Sequence, residues 1–333
     1  KVETGNKNTQ DKVEDGLYPF YVRSQIVERI NAWNFDGEAI LTAGDGVGVG
    51  KVFHYSIGKI GVHQRVYILS GFKCDGKYLY NYFSSRFYNR VKRLSAKNSV
   101  DSVRMEMITE MPLSLPSLEE QNKIGRLLSL LEDRIATQNK IIEDLKKLKS
   151  AISAIILFSD SWIQYQIKDI ASIGRGRVIN STEISQQNDP IYPVYSSQTS
   201  DNGIMGYLDD YMFDGEYVSW TTDGANAGTV FYRNGKFNCT NVCGLLKLKD
   251  GFDAKFISLV LAYATRKYVS INLANPKLMN NTMGIIQIAV PKIEEQKRIA
   301  SVFNTLDNKI DNNCSLLNLY SSQKTYLLQQ MFI

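Results

Sequence analysis

At 333 residues and 37.7 kDa the chain is about twice the length of a typical domain, so two globular units are expected. Its 44% hydrophobic and 22% charged residues can build a sizeable core, which excludes a disordered or collagen-like chain. No apolar run approaches the roughly 20 residues of a bilayer-spanning helix, and a net charge of +5 gives only a mild preference for anionic partners.

Residues 1 to 16 lack the apolar core of a secretory signal, so a soluble cytoplasmic protein is expected. Tyr18-Pro19 and Tyr21 then open a segment rich in Tyr, Phe, Val, Thr and Gly. Runs such as Val66-Tyr67-Ile68-Leu69 predict short strands joined by glycine turns. Pro116 begins a change of period. Ser117 and Glu120 have capping-box spacing, Glu119 and Glu120 suit the positive end of a helix dipole, and Ile124, Leu128, Leu131, Ile135, Gln138, Ile142 and Leu145 form a heptad-like stripe. A helix from Glu119 to about Ile156 would be roughly 57 Å long.

The pattern then recurs. Trp162, the run Ile167 to Ile173 and Gly174-Arg175-Gly176-Arg177 precede Tyr192-Pro193 and Tyr195, which answer to Tyr18-Pro19 and Tyr21. FDGEAILTAGDGVGVGKVF from Phe35 matches FDGEYVSWTTDGANAGTVF from Phe213 at nine of nineteen positions. PSLEEQNKIGRLLSLLEDRI from Pro116 matches PKIEEQKRIASVFNTLDNKI from Pro291 at seven of twenty. Gly37, Gly46 and Gly50 recur as Gly215, Gly224 and Gly228, as turns needing positive φ would require. In the second copy a strand is expected at Gly215 to Val218 and a helix from Phe256 to Tyr268. The second stripe is Ile299, Phe303, Leu306, Ile310, Asn313, Leu317 and Tyr320, with Asn313 in the place of Gln138. Lys292 breaks the second capping box, although Glu294 and Glu295 keep its acidic first turn.

These features predict an α+β chain with two repeated mixed α/β modules separated by an antiparallel pair of long coiled-coil-like helices. The expected divisions are 1–115, 116–158, 159–290 and 291–333. The first module has only 17 residues before Tyr18, against about thirty before Tyr192, so its N-terminal end is expected to be incomplete, which leaves its edge strand open. An antiparallel pair would turn both modules to one side, a spacing suited to grooves of duplex DNA roughly 34–36 Å apart. Cys74, Cys239, Cys243 and Cys314 are too few for a disulfide scaffold and, with only His54 and His63, complete no zinc set.

The doubled arrangement of PSLEEQNKI and PKIEEQKRI, with YPVYSSQTSDNGIMGY from Tyr192 and TTDGANAGTVF from Thr221, resembles the DNA-specificity subunit of type I restriction-modification systems over essentially the whole chain. The resemblance implies two target-recognition domains reading the halves of a bipartite double-stranded DNA site, helices that space them, and no chemistry in this chain. It implies docking of two adenine-methyltransferase subunits and a restriction motor-nuclease subunit, with S-adenosylmethionine, ATP and Mg on those partners, and no membrane. The residues agree. Gly50-Lys51 is followed by Val52, which excludes a Walker loop, Asp36-Gly37-Glu38 is followed by Ala39-Ile40 rather than a nuclease lysine, and no amino-methyltransferase motif occurs. The rival readings are a stand-alone DNA-binding regulator and a single-chain methyltransferase or nuclease.

Sequence readers use Arg, Lys, Asn, Gln, Ser and Thr on loops that reach base edges and phosphates. The first module offers Ser24, Gln25, Lys51, His54, Arg65, Arg93, Lys97 and Arg104. The second offers Ser197, Gln198, Thr199, Asn202, Thr221, Thr222, Asn226, Arg233, Lys236, Asn241, Lys277 and Asn280. Residues 1–112 carry 16 basic and 12 acidic side chains and residues 160–290 carry 11 and 12, so the second module is expected to lean on its partner for phosphate neutralisation. Glu119, Glu120, Gln121, Glu294, Glu295, Gln296 and Arg298 are candidate contacts to the methyltransferase.

Overall fold

The computed structural model describes residues 1–95, 102–157, 161–270 and 275–332. They form two compact units, Lys1–Ile141 with Asn313–Ile333, and Ile142–Asn312. Each unit thus takes a module together with half of each long helix, so the packing divides the helices at their middles. The expected junction at 158/159 lies outside the described residues.

In the first unit, β1 (Val2–Thr4), β2 (Tyr18–Tyr21), β3 (Glu28–Ile30), β4 (Phe35–Ala43), β5 (Phe53–Val62) and β6 (Val66–Ser70) make one sheet in the order β1-β6-β4-β5-β2-β3. The pairing of β2 with β5 is parallel, and the others are antiparallel. The sheet has a paired edge at β1, where Val2 lies opposite Leu69. Alternation along β4 feeds two cores. Ile40 packs with Leu69, Phe83 and Phe87, on the side covered by α1 (Gly76–Leu94) and α2 (Met105–Thr109), whereas Ala39 and Leu41 join Ile60, Val62 and Ile68. The long helix α3 (Leu118–Ile156) follows.

In the second unit, β7 (Ile163–Gln166), α4 (Ile167–Ile170) and β8 (Ala171–Arg175) lead to α5 (Ser181–Ser185), β9 (Tyr192–Tyr195) and β10 (Ile204–Leu208). Then come β11 (Tyr217–Thr221), β12 (Val230–Arg233), β13 (Asn238–Cys239), β14 (Cys243–Leu248), α6 (Ala254–Ala264), α7 (Asn280–Ile285), β15 (Gln287–Val290) and α8 (Ile293–Met331). The sheets are β12-β11-β14-β8, β10-β9-β13 and β15-β7. Here the counterpart of β5 is divided into β12 and β13 by the Asn234-Gly235 turn. The expected strand at Gly215 begins at Tyr217 instead, because Gly215 and Gly235 face each other with positive φ of 97° and 93° and exchange two 3.2 Å hydrogen bonds. All six repeat-related glycines have positive φ, as expected. The expected helix at Phe256 starts two residues earlier because the Asp253 carboxylate caps it, and it ends in a 3-10 turn, Thr265–Lys267. Its core gathers Trp220, Phe256, Ile257, Leu261, Ile299 and Phe303.

Both long helices have 39 residues and run antiparallel within each unit. In the first unit the two polar residues that interrupt the stripes meet: Gln138 Nε2 donates to the side-chain oxygen of Asn313 and to its main-chain oxygen at 3.2 Å. Further along the helix pair, Lys324 bonds to Glu132 at 2.6 Å. In the second unit Lys149 and Lys255 converge on Asp307, the latter at 2.7 Å. Among the described residues no helix is long and apolar enough to cross a membrane.

Each helix is tied to its module by a glutamine. Gln121 Oε1 accepts from Asp75 N–H at 3.1 Å and its Nε2 donates to the Pro116 carbonyl at 2.8 Å. Gln296 Oε1 accepts from Asp253 N–H at 2.9 Å and its Nε2 donates to Pro291 at 2.8 Å and Gly251 at 3.3 Å. Asp75 and Asp253 are themselves the caps of α1 and α6. Gln121 and Gln296 are 5% and 1% exposed, which corrects their assignment as partner contacts: burial and internal hydrogen bonds occupy their amides.

Gln121→Ala and Gln296→Ala each remove a buried amide together with its hydrogen bonds to a half-buried N–H and carbonyl, so each lowers stability by about 1–3 kcal/mol in denaturant unfolding. At Gly244 a Cβ would lie 2.1 Å from the Trp220 indole. Gly244→Ala is therefore expected to cost about 1–3 kcal/mol by overpacking, with a matching fall in the melting temperature.

Candidate nucleic-acid interface

One end of each module is assembled by the same three backbone hydrogen bonds. In the first, His63 N–H donates to Tyr21 at 3.0 Å, Gly44 N–H to Arg65 at 2.8 Å and Val103 N–H to Gly44 at 2.7 Å. In the second, Thr240 N–H donates to Tyr195 at 2.9 Å, Thr222 N–H to Val242 at 3.0 Å and Leu278 N–H to Thr222 at 2.9 Å. The bonds fasten the loops after β2 and β4, the β5–β6 turn and the segment after α1 into one rim. Their counterparts in the second module are fastened in the same way.

The first rim brings together Ser24, Gln25, Lys51, His54 and Arg65. Gln25 Nε2 donates to the Lys51 carbonyl at 3.4 Å. His54 lies 5.0 Å from the Tyr21 ring, and its Nε2, which must carry a proton to face a carbonyl, donates to Ser24 at 2.9 Å. Burial lowers its pKa, so it is neutral and supports the Ser24 loop from beneath. Ser24 spends its hydroxyl on the Ile26 carbonyl at 3.0 Å. Lys51 is exposed, with its ammonium 4.8 Å from the Tyr88 ring centre. Arg104 is exposed next to Val103, whose N–H makes the third bond. Arg93 stands apart, lining a groove with Arg86, Arg90 and Phe332. Lys97 lies outside the described residues.

Three rim residues lie outside the sequence candidates: Arg23, Asp45 and Asp223. Asp45 receives Arg23 at 2.9 Å and Arg65 at 3.7 Å. Its repeat mate Asp223 receives Lys277 at 3.7 Å. The signal was present in the Asp-Gly pair common to both copies, Asp45-Gly46 and Asp223-Gly224. In both modules the backbone of this aspartate forms an isolated antiparallel β-bridge to the same segment, Asp45 to Ser102 and Asp223 to Lys277.

The second rim presents Ser197, Gln198, Thr199, Asn202, Asn226, Asn241, Lys277 and Asn280. Thr199, Asn202, Asn226 and Asn241 are exposed. Gln198 Nε2 donates to the Ile204 carbonyl, and the Asn280 amide oxygen accepts from Arg175 Nε at 2.9 Å. Thr221 and Thr222 are 0% exposed and bind Asn226 and Val242 carbonyls, so they form the floor of the rim and do not reach a ligand. Arg233 is 2% exposed and is likewise beneath the surface. Lys236 is at the other end of the three-stranded sheet, 4.3 Å from the Tyr211 ring, because the turn that carries it precedes β13. Cys239 and Cys243 are buried thiols beneath this rim. Burial pushes Cys243 up to about 11, and its thiol faces the Ser196 carbonyl at 3.1 Å.

At the helix starts, Glu120 accepts from Ser117 N–H at 3.0 Å and from its hydroxyl at 2.7 Å, completing the expected capping box. Glu119 pairs with Lys123 at 2.6 Å, and Glu119, Glu294 and Arg298 are exposed. In the second unit Glu295 and Arg298 line a groove of about 710 Å³ with Trp162 and Phe303. Its walls hold Ile155, Ile163 and Val302, which are 77%, 63% and 42% exposed.

A family model described as the type I restriction modification DNA specificity domain matches residues 1–147 and again 159–319. A putative type I specificity subunit of Mycoplasma pneumoniae, S.MpnORF201P, is 37% identical over 198 residues, covering 59% of this chain and 82% of that protein. The N-terminus of another from that organism, S.MpnORF289P, is 46% identical over 142 residues, covering 42% of this chain and 75% of that protein. The crystal structure of a type I restriction-modification S subunit from M. genitalium has the same fold, with a TM-score of 0.77 at 16% identity, covering 100% of this chain and 93% of that one. With both modules and their helices matched in this way, the chain belongs to the type I restriction-modification DNA specificity family.

Proposed function

We propose that this chain is the non-catalytic reader of a type I restriction-modification complex in the bacterial cytoplasm. Its two modules recognise the halves of a bipartite duplex site. The observation that carries this reading is the pair of rims, built by the same three backbone bonds but lined by different side chains. Such a scaffold positions loops while leaving their chemistry free to differ, as two unlike half-sites demand. The first rim combines Arg23, Lys51 and Arg65 with one carboxylate and suits phosphates and guanine edges. The second is lined mainly by amides and hydroxyls and suits base edges, with phosphate neutralisation left largely to the partner. Membership of a specificity family disfavours both a stand-alone regulator and a single-chain enzyme.

Two adenine-methyltransferase subunits are the partners in this reading, and a restriction motor-nuclease subunit joins through them. S-adenosylmethionine, ATP and Mg belong to those subunits. The exposed aliphatic groove beside Glu295 and Arg298 is the docking surface assigned to a methyltransferase in the second unit, because large exposed apolar side chains rimmed by charge mark protein interfaces.

Mapping methylated adenines in cells carrying the complete system is expected to give one bipartite motif that disappears when this chain is deleted. A motif unaffected by the deletion would refute the reading. Ile155→Asp with Val302→Asp, one on each wall of the groove, is expected to abolish co-elution with the methyltransferase in size-exclusion chromatography. The melting temperature should move little, since both side chains are exposed.

A further inference from the structure

Arg233 is a cation enclosed beneath the second rim. Its Nε donates to Ser219 Oγ at 3.0 Å and its Nη1 to the Asn202 carbonyl at 2.8 Å. The guanidinium lies 3.5 Å from the Tyr195 ring centre and 4.3 Å from that of Phe231. Above it, Asp201 and Asn202, with φ of 46° and 53°, are the only non-glycine residues at positive φ among the described residues. Gly203 follows at 86°, and a Cβ there would stand 3.0 Å from Arg233 Nη2. A left-handed pair of this kind persists only when its surroundings hold it. Arg233 supplies the hold, because the carbonyl it binds belongs to the strained residue itself.

The first module has no such strut. Ser56 stands in the position of Arg233, and it accepts from the hydroxyl of Tyr21, the repeat mate of Tyr195, at 3.1 Å. The loop above it, residues 22–27, is shorter than residues 196–203. One scaffold position therefore differs in step with the loop it supports. We propose that Arg233 is a positioning residue that fixes the conformation of Thr199–Gly203, and through Thr199 and Asn202 determines which bases the second module selects. This rests on the DNA-recognition reading.

The test replaces the native chain with Arg233→Met, Arg233→Lys or Gly203→Ala in cells carrying the complete system. Methylated adenines are mapped, and the melting temperature of each purified full chain is measured. Arg233→Met and Gly203→Ala, which disturb one contact from opposite sides, are expected to relax discrimination in one half of the motif by about tenfold at one or more positions. The other half should stay unchanged, with Arg233→Lys intermediate. An unchanged motif with Arg233→Met would overturn the proposal. So would equal loss of both halves, or loss of all methylation with a collapsed melting temperature in all three variants, either of which would mark Arg233 as a folding residue only. If the native chain itself directs no bipartite motif, the DNA reading fails and the proposal with it; a native motif unmoved by the variants removes Arg233 alone.

Discussion

A buried glutamine at the start of each long helix is the joint on which the architecture depends. Gln121 and Gln296 each engage the N–H of the aspartate that caps the module's own helix and the carbonyl of the proline where the long helix begins. A side-chain amide has a donor and an acceptor in fixed geometry, so one residue can lock two chain segments whose directions differ. Because the glutamine amides are buried, water does not readily replace their backbone partners, and the angle between module and helix is set by hydrogen bonds as well as by apolar packing. A spacer can measure distance only if it is rigidly joined to what it spaces.

The rims show how one scaffold presents two different sets of side chains. Backbone bonds repeat between the modules while side chains diverge, since a backbone bond depends on chain path and a base contact depends on side-chain chemistry. Asp45 and Asp223 illustrate the boundary between the two. Each holds its neighbouring cations at the rim, two arginines in one case and a lysine in the other, so the shared acid organises a contact surface whose charge differs. Where the second loop is longer, a buried arginine takes the place of a serine beneath it.

Much of the fold was legible in the sequence because duplication exposes it. Two copies that keep proline, paired glutamates, glutamine and an apolar stripe can share those features only if both fold alike, and the glycines at matched turns retained the positive φ their spacing implied. The candidate contacts were less legible. Thr221, Thr222 and Arg233 have the right chemistry for a DNA surface and lie beneath it, whereas Arg23 and Asp45 sit on the rim and were passed over. Residue type records what a side chain can bond to, and burial decides whether a ligand can reach it. Gln121 and Gln296 fail as partner contacts for the same reason.

The sequence by itself determined the duplication, the two long helices with their polar interruption in the same phase, and the family, since each is a periodic or repeated pattern carried by local spacing. Only the tertiary structure decided that Gln138 and Asn313 bond to each other, that loops far apart in sequence share one rim, and which polar side chains face outward. Those outcomes depend on contacts between residues tens to hundreds of positions apart, and no local pattern encodes the direction in which a side chain at such a contact will point.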